Sequence, residues 1–76
     1  MNTVTITKFD VSFNLSLYEI ETVMKKDAAS IEFMYRYQHD KHVHRFFTEI
    51  LDSGIDIIQM IQTHKLYKLN DYEIKR

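Results

Sequence analysis

The sequence predicts an α+β domain: a small sheet of two to four short strands with two or three helices packed on one face. Three observations predict it. Thr3 to Thr7 alternates and is β-branched throughout. Ser16-Leu17-Tyr18-Glu19 has the spacing of a helix capping box. From Val43 to Ile61 apolar residues recur three and four apart. With 76 residues, the whole of 1–76 is one domain.

The first strand is Thr3-Val4-Thr5-Ile6-Thr7. Phe9, Val11 and Phe13 alternate too, but on the opposite parity, so the apolar face changes near Lys8. A bulge or a second short strand accounts for that switch. In the capping box, the Ser16 hydroxyl accepts from the Glu19 N–H and the Glu19 carboxylate accepts from the Ser16 N–H. Leu17, Ile20, Val23, Met24 and Ala28 then share a face, and Glu21 with Lys25 is a favourably ordered i,i+4 pair. A helix is expected from 17 to about 28.

Ile31, Phe33, Tyr35 and Tyr37 alternate with Glu32, Met34, Arg36 and Gln38, which predicts a second strand. Strand, helix and strand with short joins make a βαβ unit with a right-handed crossover. Asp40 is placed to cap the next helix, whose apolar face is Val43, Phe46, Phe47, Ile50 and Leu51. Gly54 follows where a left-handed residue ends a helix. Asp56, with Gln59 three residues on, starts another, carrying Ile57, Ile58 and Ile61. A single helix from 40 to about 65 also satisfies the apolar spacing and spans about 39 Å. The coincidence of stop and start signals favours a break at Gly54. At the end, Lys65 to Leu69 and Tyr72 to Ile74 read as two strands around an Asn70-Asp71 turn, or as a helical continuation or a frayed tail.

Composition narrows the function. Without cysteine there is no disulfide, no thiolate metal site and no thiol nucleophile, which fits a reducing, cytoplasmic setting. One glycine cannot build a phosphate-binding loop. Met1 to Leu17 has no basic start leading into an apolar run, so no secretory signal is expected there. No stretch is apolar enough for a membrane span. Ser12, Ser16, Ser30 and Ser53 each have a strand, cap or turn role, and Asp52 with Asp56 reads as helix capping rather than a catalytic carboxylate pair. The chain is therefore expected to be non-enzymatic and without a cofactor.

The segment from Arg36 to Arg45 breaks a local rule. With Asp40 as cap, Lys41, His42, His44 and Arg45 crowd the first turns of a helix whose far end carries Glu49 and Asp52. That order opposes the helix dipole, at about 0.3–1 kcal/mol per exposed charge. Uncompensated departures of this kind mark candidate functional surfaces. Arg36, Tyr37, Lys41, His42 and Arg45 are therefore the expected partner-binding residues, forming a basic and aromatic corner suited to an acidic protein surface. Five tyrosines exceed what so small a core can bury, which adds to the expectation of a protein interface, and apolar helix faces larger than one thin sheet can cover lead to the expectation of a homodimer. A regulatory or inhibitory module is the expected role.

Two alternatives rank lower. Thr3 to Thr7 resembles the strand of a ribbon-helix-helix DNA binder, which implies a two-stranded ribbon in the major groove. A second strand-like run precedes the first helix, however, Lys8 is the lone base nearby, and a net charge of −1 supplies no general attraction to phosphate. His39, His42 and His44 suggest a metal site, but their spacing of three and then two misses the i,i+4 pattern that aims two imidazoles from one helix at one ion.

Overall fold

The structure, a computed structural model, describes residues 3–76; Met1 and Asn2, where the signal-sequence reading begins, lie outside them. The chain opens with strands β1 (Thr3–Lys8) and β2 (Val11–Ser16). Phe9 and Asp10 make the turn between them, so an even-numbered residue always faces an odd-numbered one: Val4 opposes Leu15 and Ile6 opposes Phe13. The switch of apolar face near Lys8 is this hairpin parity and not a bulge.

Ser16 caps α1 (Leu17–Met24) through the reciprocal box: Glu19 N–H donates to Ser16 Oγ at 3.1 Å and Ser16 N–H donates to Glu19 Oε1 at 2.8 Å. The helix stops four residues short of the expected end because Lys26 takes a left-handed conformation, φ 56. Asp27 then caps α2 (Ala28–Arg36), its carboxylate accepting from the Ser30 N–H at 3.0 Å.

Helix α2 overturns the strand expected over 31–38 and with it the βαβ unit. The alternation there is incidental to a helical face built from Ser30, Phe33, Met34 and Tyr37, at the spacing i, i+3, i+4, i+7. Ser30 is buried, and its hydroxyl donates to the Val23 carbonyl at 2.7 Å. Ile31 and Tyr35, counted with Phe33 on one strand face, instead point to solvent.

Asp40 caps α3 (Lys41–Asp52) by accepting from the Val43 N–H at 3.2 Å. Gly54, at φ 70, breaks the helical path, and Asp56 caps α4 (Ile57–Thr63) by accepting from the Gln59 N–H. The long 40–65 helix is thus not formed, and the described residues carry four helices where two or three were expected. Strands β3 (Leu66–Leu69) and β4 (Tyr72–Lys75) close the chain around Asn70, which tolerates its φ of 53.

The sheet order is β2-β1-β4-β3, and every strand pair among the described residues is antiparallel. Because β4 pairs with β1 (Ile6 opposite Ile74), β1 is an inner strand. It is not available for the DNA-reading ribbon that its resemblance implies. The helices cover one face. The core joins Val4, Ile6, Leu15 and Ile74 of the sheet to Ile20 and Val23 of α1, Phe46, Phe47 and Ile50 of α3, and Ile57 and Ile61 of α4.

Candidate functional site

The start of α3 sits over an aromatic cluster. Phe46 and Phe47 follow Asp40 by two turns and point inward from the amphipathic face of α3. Phe46 meets Phe13 edge-on at 6.0 Å and Tyr72 at 5.2 Å; Phe47 meets Phe33 at 5.9 Å and Tyr37 at 5.5 Å. All but the tilted Phe33–Phe47 pair are edge-on, and such pairs add to burial through the ring quadrupoles. The cluster fixes α3 against both the sheet and α2, and so fixes the charged outer face of α3.

Of the five residues expected to bind a partner, the structure brings Lys41, His42 and Arg45 together on α3 and sets Arg36 and Tyr37 apart. Arg36 ends α2, lies 3.7 Å from Glu32, and lines a separate groove with Tyr18 and Phe33. Tyr37 is half-buried, and its hydroxyl donates to Glu19 Oε2 at 2.6 Å. That bond, then burial, then the negative charges of Glu19 and Asp40 push the phenol pKa up to about 12. Tyr37 is therefore a structural tie between α2 and α1.

Lys41, His42 and Arg45 are exposed, and among the described residues no acid lies within ion-pair distance of them. Two depressions share Arg45. A groove of about 420 Å³ along α3 carries both bases and acids, with Lys41, His44 and Arg45 followed by Glu49 and Asp52. A smaller cleft of about 190 Å³ opens between α3 and the tip of the β1–β2 hairpin. Its apolar wall is Phe9, Val11 and Phe13, its opposite wall is His42 and Arg45, and Tyr72 and Lys8 complete it with Asp10 the single acid. The Lys8 ammonium lies 4.8 Å from the Tyr72 ring centroid and 6.0 Å from that of Phe9, within the range of a cation–π contact. Burial, then the charge of Glu49, holds the Tyr72 phenol above its ordinary pKa, while Arg45 pulls it down.

Phe9 is the residue that sequence patterning missed. It is 79% exposed at the hairpin tip, with φ at 56, where a bulky side chain is disfavoured. The signal available was its place: two residues, neither of them glycine or asparagine, in a turn that needs a positive φ.

Among the described residues no three His, Asp or Glu side chains stand where they could hold one metal ion. His42 faces the hairpin cleft and His44 the α3 groove, so the histidine cluster does not converge. No helix among the described residues is long and apolar enough to cross a membrane.

Fold and surface together define a small α+β domain with an aromatic cluster under the start of α3 and an interaction-type surface beside it. Comparison with known proteins gives no match, whether to family models, to curated sequences or to solved structures.

Proposed function

We propose that this protein is a non-enzymatic interaction module of the cytoplasm, regulatory or inhibitory in role, which holds an acidic protein segment in the cleft between the β1–β2 tip and α3. The observation that carries this is Phe9. A phenylalanine kept in a left-handed turn and left in water costs stability without contributing to the core, and strained exposed positions of that kind gather at binding sites. Phe9 supplies flat apolar area, Arg45 supplies a cation and His42 an imidazole for carboxylates on the same segment, and Lys41 stands in the adjoining groove along α3. An apolar anchor ringed by charge matches the usual anatomy of a protein interface. The reading includes a homodimer, and exposed Ile31, Tyr35 and Tyr18 are further apolar surface open to a partner.

The test is affinity capture from source-cell extract with the wild type, Phe9→Gly and Arg45→Glu, followed by titration of the captured molecule against all three purified chains. A protein bound by the wild type and lost by both folded variants supports the reading. Recovery of nucleic acid, with a steep salt dependence, replaces it by base stacking on Phe9. A partner bound equally by all three chains removes the cleft from function.

A further inference from the structure

Strand β2 is an edge of the sheet, and it lacks the usual devices that keep edges from pairing. Val11-Ser12-Phe13-Asn14-Leu15-Ser16 carries no charge and no proline, and its register with β1 runs through six residues without a bulge. The opposite edge differs. Strand β3 has four residues, includes Lys68, and is preceded by Lys65. Lysine on a short edge strand is a common guard against pairing.

The hydrogen-bonding groups left open on β2 can be identified. Ser16 N–H donates to Glu19 Oε1, so it points away from β1. Strand groups alternate in direction, which places the N–H and C=O of Ser12 and Asn14 on the same outer side. Among the described residues β1 is the sole strand partner of β2. On the helix-covered face, Val11 and Phe13 are half-buried, whereas Leu15 is buried. An added strand would complete the cover over those two residues.

We infer that β2 pairs antiparallel with β2 of a second copy, about a two-fold axis at Phe13, to give a continuous eight-stranded sheet. The strand is complementary to itself. A two-fold centred on a residue pairs odd with odd and even with even. Val11 then faces Leu15 of the second copy, and the apolar faces of both sheets stay on the helix side. Ser12 faces Asn14 of the second copy, so the open groups of both strands meet as four backbone hydrogen bonds. No charge opposes a like charge. A foreign strand would need this same pattern, whereas a second copy supplies it by symmetry. The inference rests on the self-association part of the reading above; it shares Val11 and Phe13 with the cleft wall but uses neither Phe9 nor Arg45. Lys8 and Tyr72, on β1 and β4, lie one and two strands in from the edge.

Light scattering on the eluting protein, at rising concentration, tests this with four chains. The wild type should have twice the 9.2 kDa mass of the chain. Asn14→Pro removes an N–H that the monomer's own sheet does not use, and should elute as a folded monomer. Ser12→Lys with Asn14→Lys places lysine opposite lysine across the axis and should also be monomeric. Ser12→Lys with Asn14→Glu places lysine opposite glutamate and should restore the dimer, an outcome that a general effect on folding would not produce. A wild type monomeric at every concentration overturns the inference. So does a dimer that survives Asn14→Pro and both lysines, or one that Ile31→Asp dissolves while Asn14→Pro does not, which would move the contact to α2. Phe9→Gly and Arg45→Glu should leave the mass unchanged, so failure of the cleft reading is scored separately.

Discussion

The Tyr37 hydroxyl donates to Glu19 Oε2 at 2.6 Å, while the other oxygen of the same carboxylate accepts from the Ser16 N–H at 2.8 Å. One side chain thereby caps α1 and anchors the C-terminal end of α2. Tyr37→Phe keeps the ring contacts with Phe33 and Phe47 and removes only the bond to the carboxylate. It should destabilise the domain by about 1–2 kcal/mol. The same tie predicts an alkaline limb. The phenol pKa is raised from 10.0 to about 12 in the native state, so its contribution is complete below pH 10 and is lost as pH rises through 12. Urea unfolding of wild type and Tyr37→Phe between pH 8 and 12 should show the two stabilities converging.

At the acid end the sign reverses. Burial pushes the Glu19 carboxyl up, but the hydrogen bonds from Ser16 and Tyr37 outweigh it and leave its pKa below the ordinary 4.5. A depressed carboxylate stabilises the native state above its unfolded pKa, and that stability falls as pH drops below about 4.5 toward the native value. Glu19→Gln should flatten the acid limb of the unfolding midpoint. A limb as steep in the variant as in the wild type would assign acid sensitivity to another group.

Phe46 is fully buried and touches Phe13, Phe47 and Tyr72. Phe46→Ala should cost about 3–5 kcal/mol. Small domains have little stability to spare, so the variant should be largely unfolded at 25 °C by far-ultraviolet circular dichroism. Retained native signal would mean that Phe13 and Tyr72 close the cavity.

Local chemistry in this sequence was legible wherever one residue type has one structural use. Ser16 with Glu19, Asp40, Gly54 and Asp56 marked helix ends, and the structure places each there. Asn70-Asp71 left a turn, a helical continuation and a frayed tail open, and the turn between two strands is the one present. The segment 31–38 was not legible by alternation, because Ile31 and Tyr35 are apolar but exposed, and the buried member that reveals the helical period is the polar Ser30. Nor does patterning tell a cation that is free from one already engaged. Lys41, His42 and Arg45 are all exposed on α3, with Arg45 between the groove that Lys41 lines and the cleft that His42 lines, whereas Tyr37 is held by Glu19, an interaction 18 residues apart in sequence.

Gly54 holds φ at 70 directly after the cap residue of α3, and a methyl group there would meet nothing within 4 Å. Any cost of Gly54→Ala is therefore conformational and not steric. It should be about 1 kcal/mol. That predicts a fall in melting temperature of about 4–8 °C for a domain of this size. A larger fall would mean that the α3–α4 junction resists more than one backbone angle.

Phe9 sets stability against binding. A left-handed conformation costs a residue with a side chain about 1–2 kcal/mol, and glycine avoids that at an entropic cost of about 0.5–1 kcal/mol. With Phe9 79% exposed, little burial is lost by removing its ring. Phe9→Gly should therefore stabilise the domain by about 0.5–1 kcal/mol in urea unfolding. Phe9→Ala keeps the strain and loses the ring, so it should not be stabilised. If the ring anchors a partner segment, both variants lose that partner although one of them folds more firmly than the wild type. Loss of binding with gain of stability separates a contact residue from a structural one. Destabilisation of Phe9→Gly would show that the ring supports the fold against Lys8 and α3, and the strain at the turn would then need no partner to explain it.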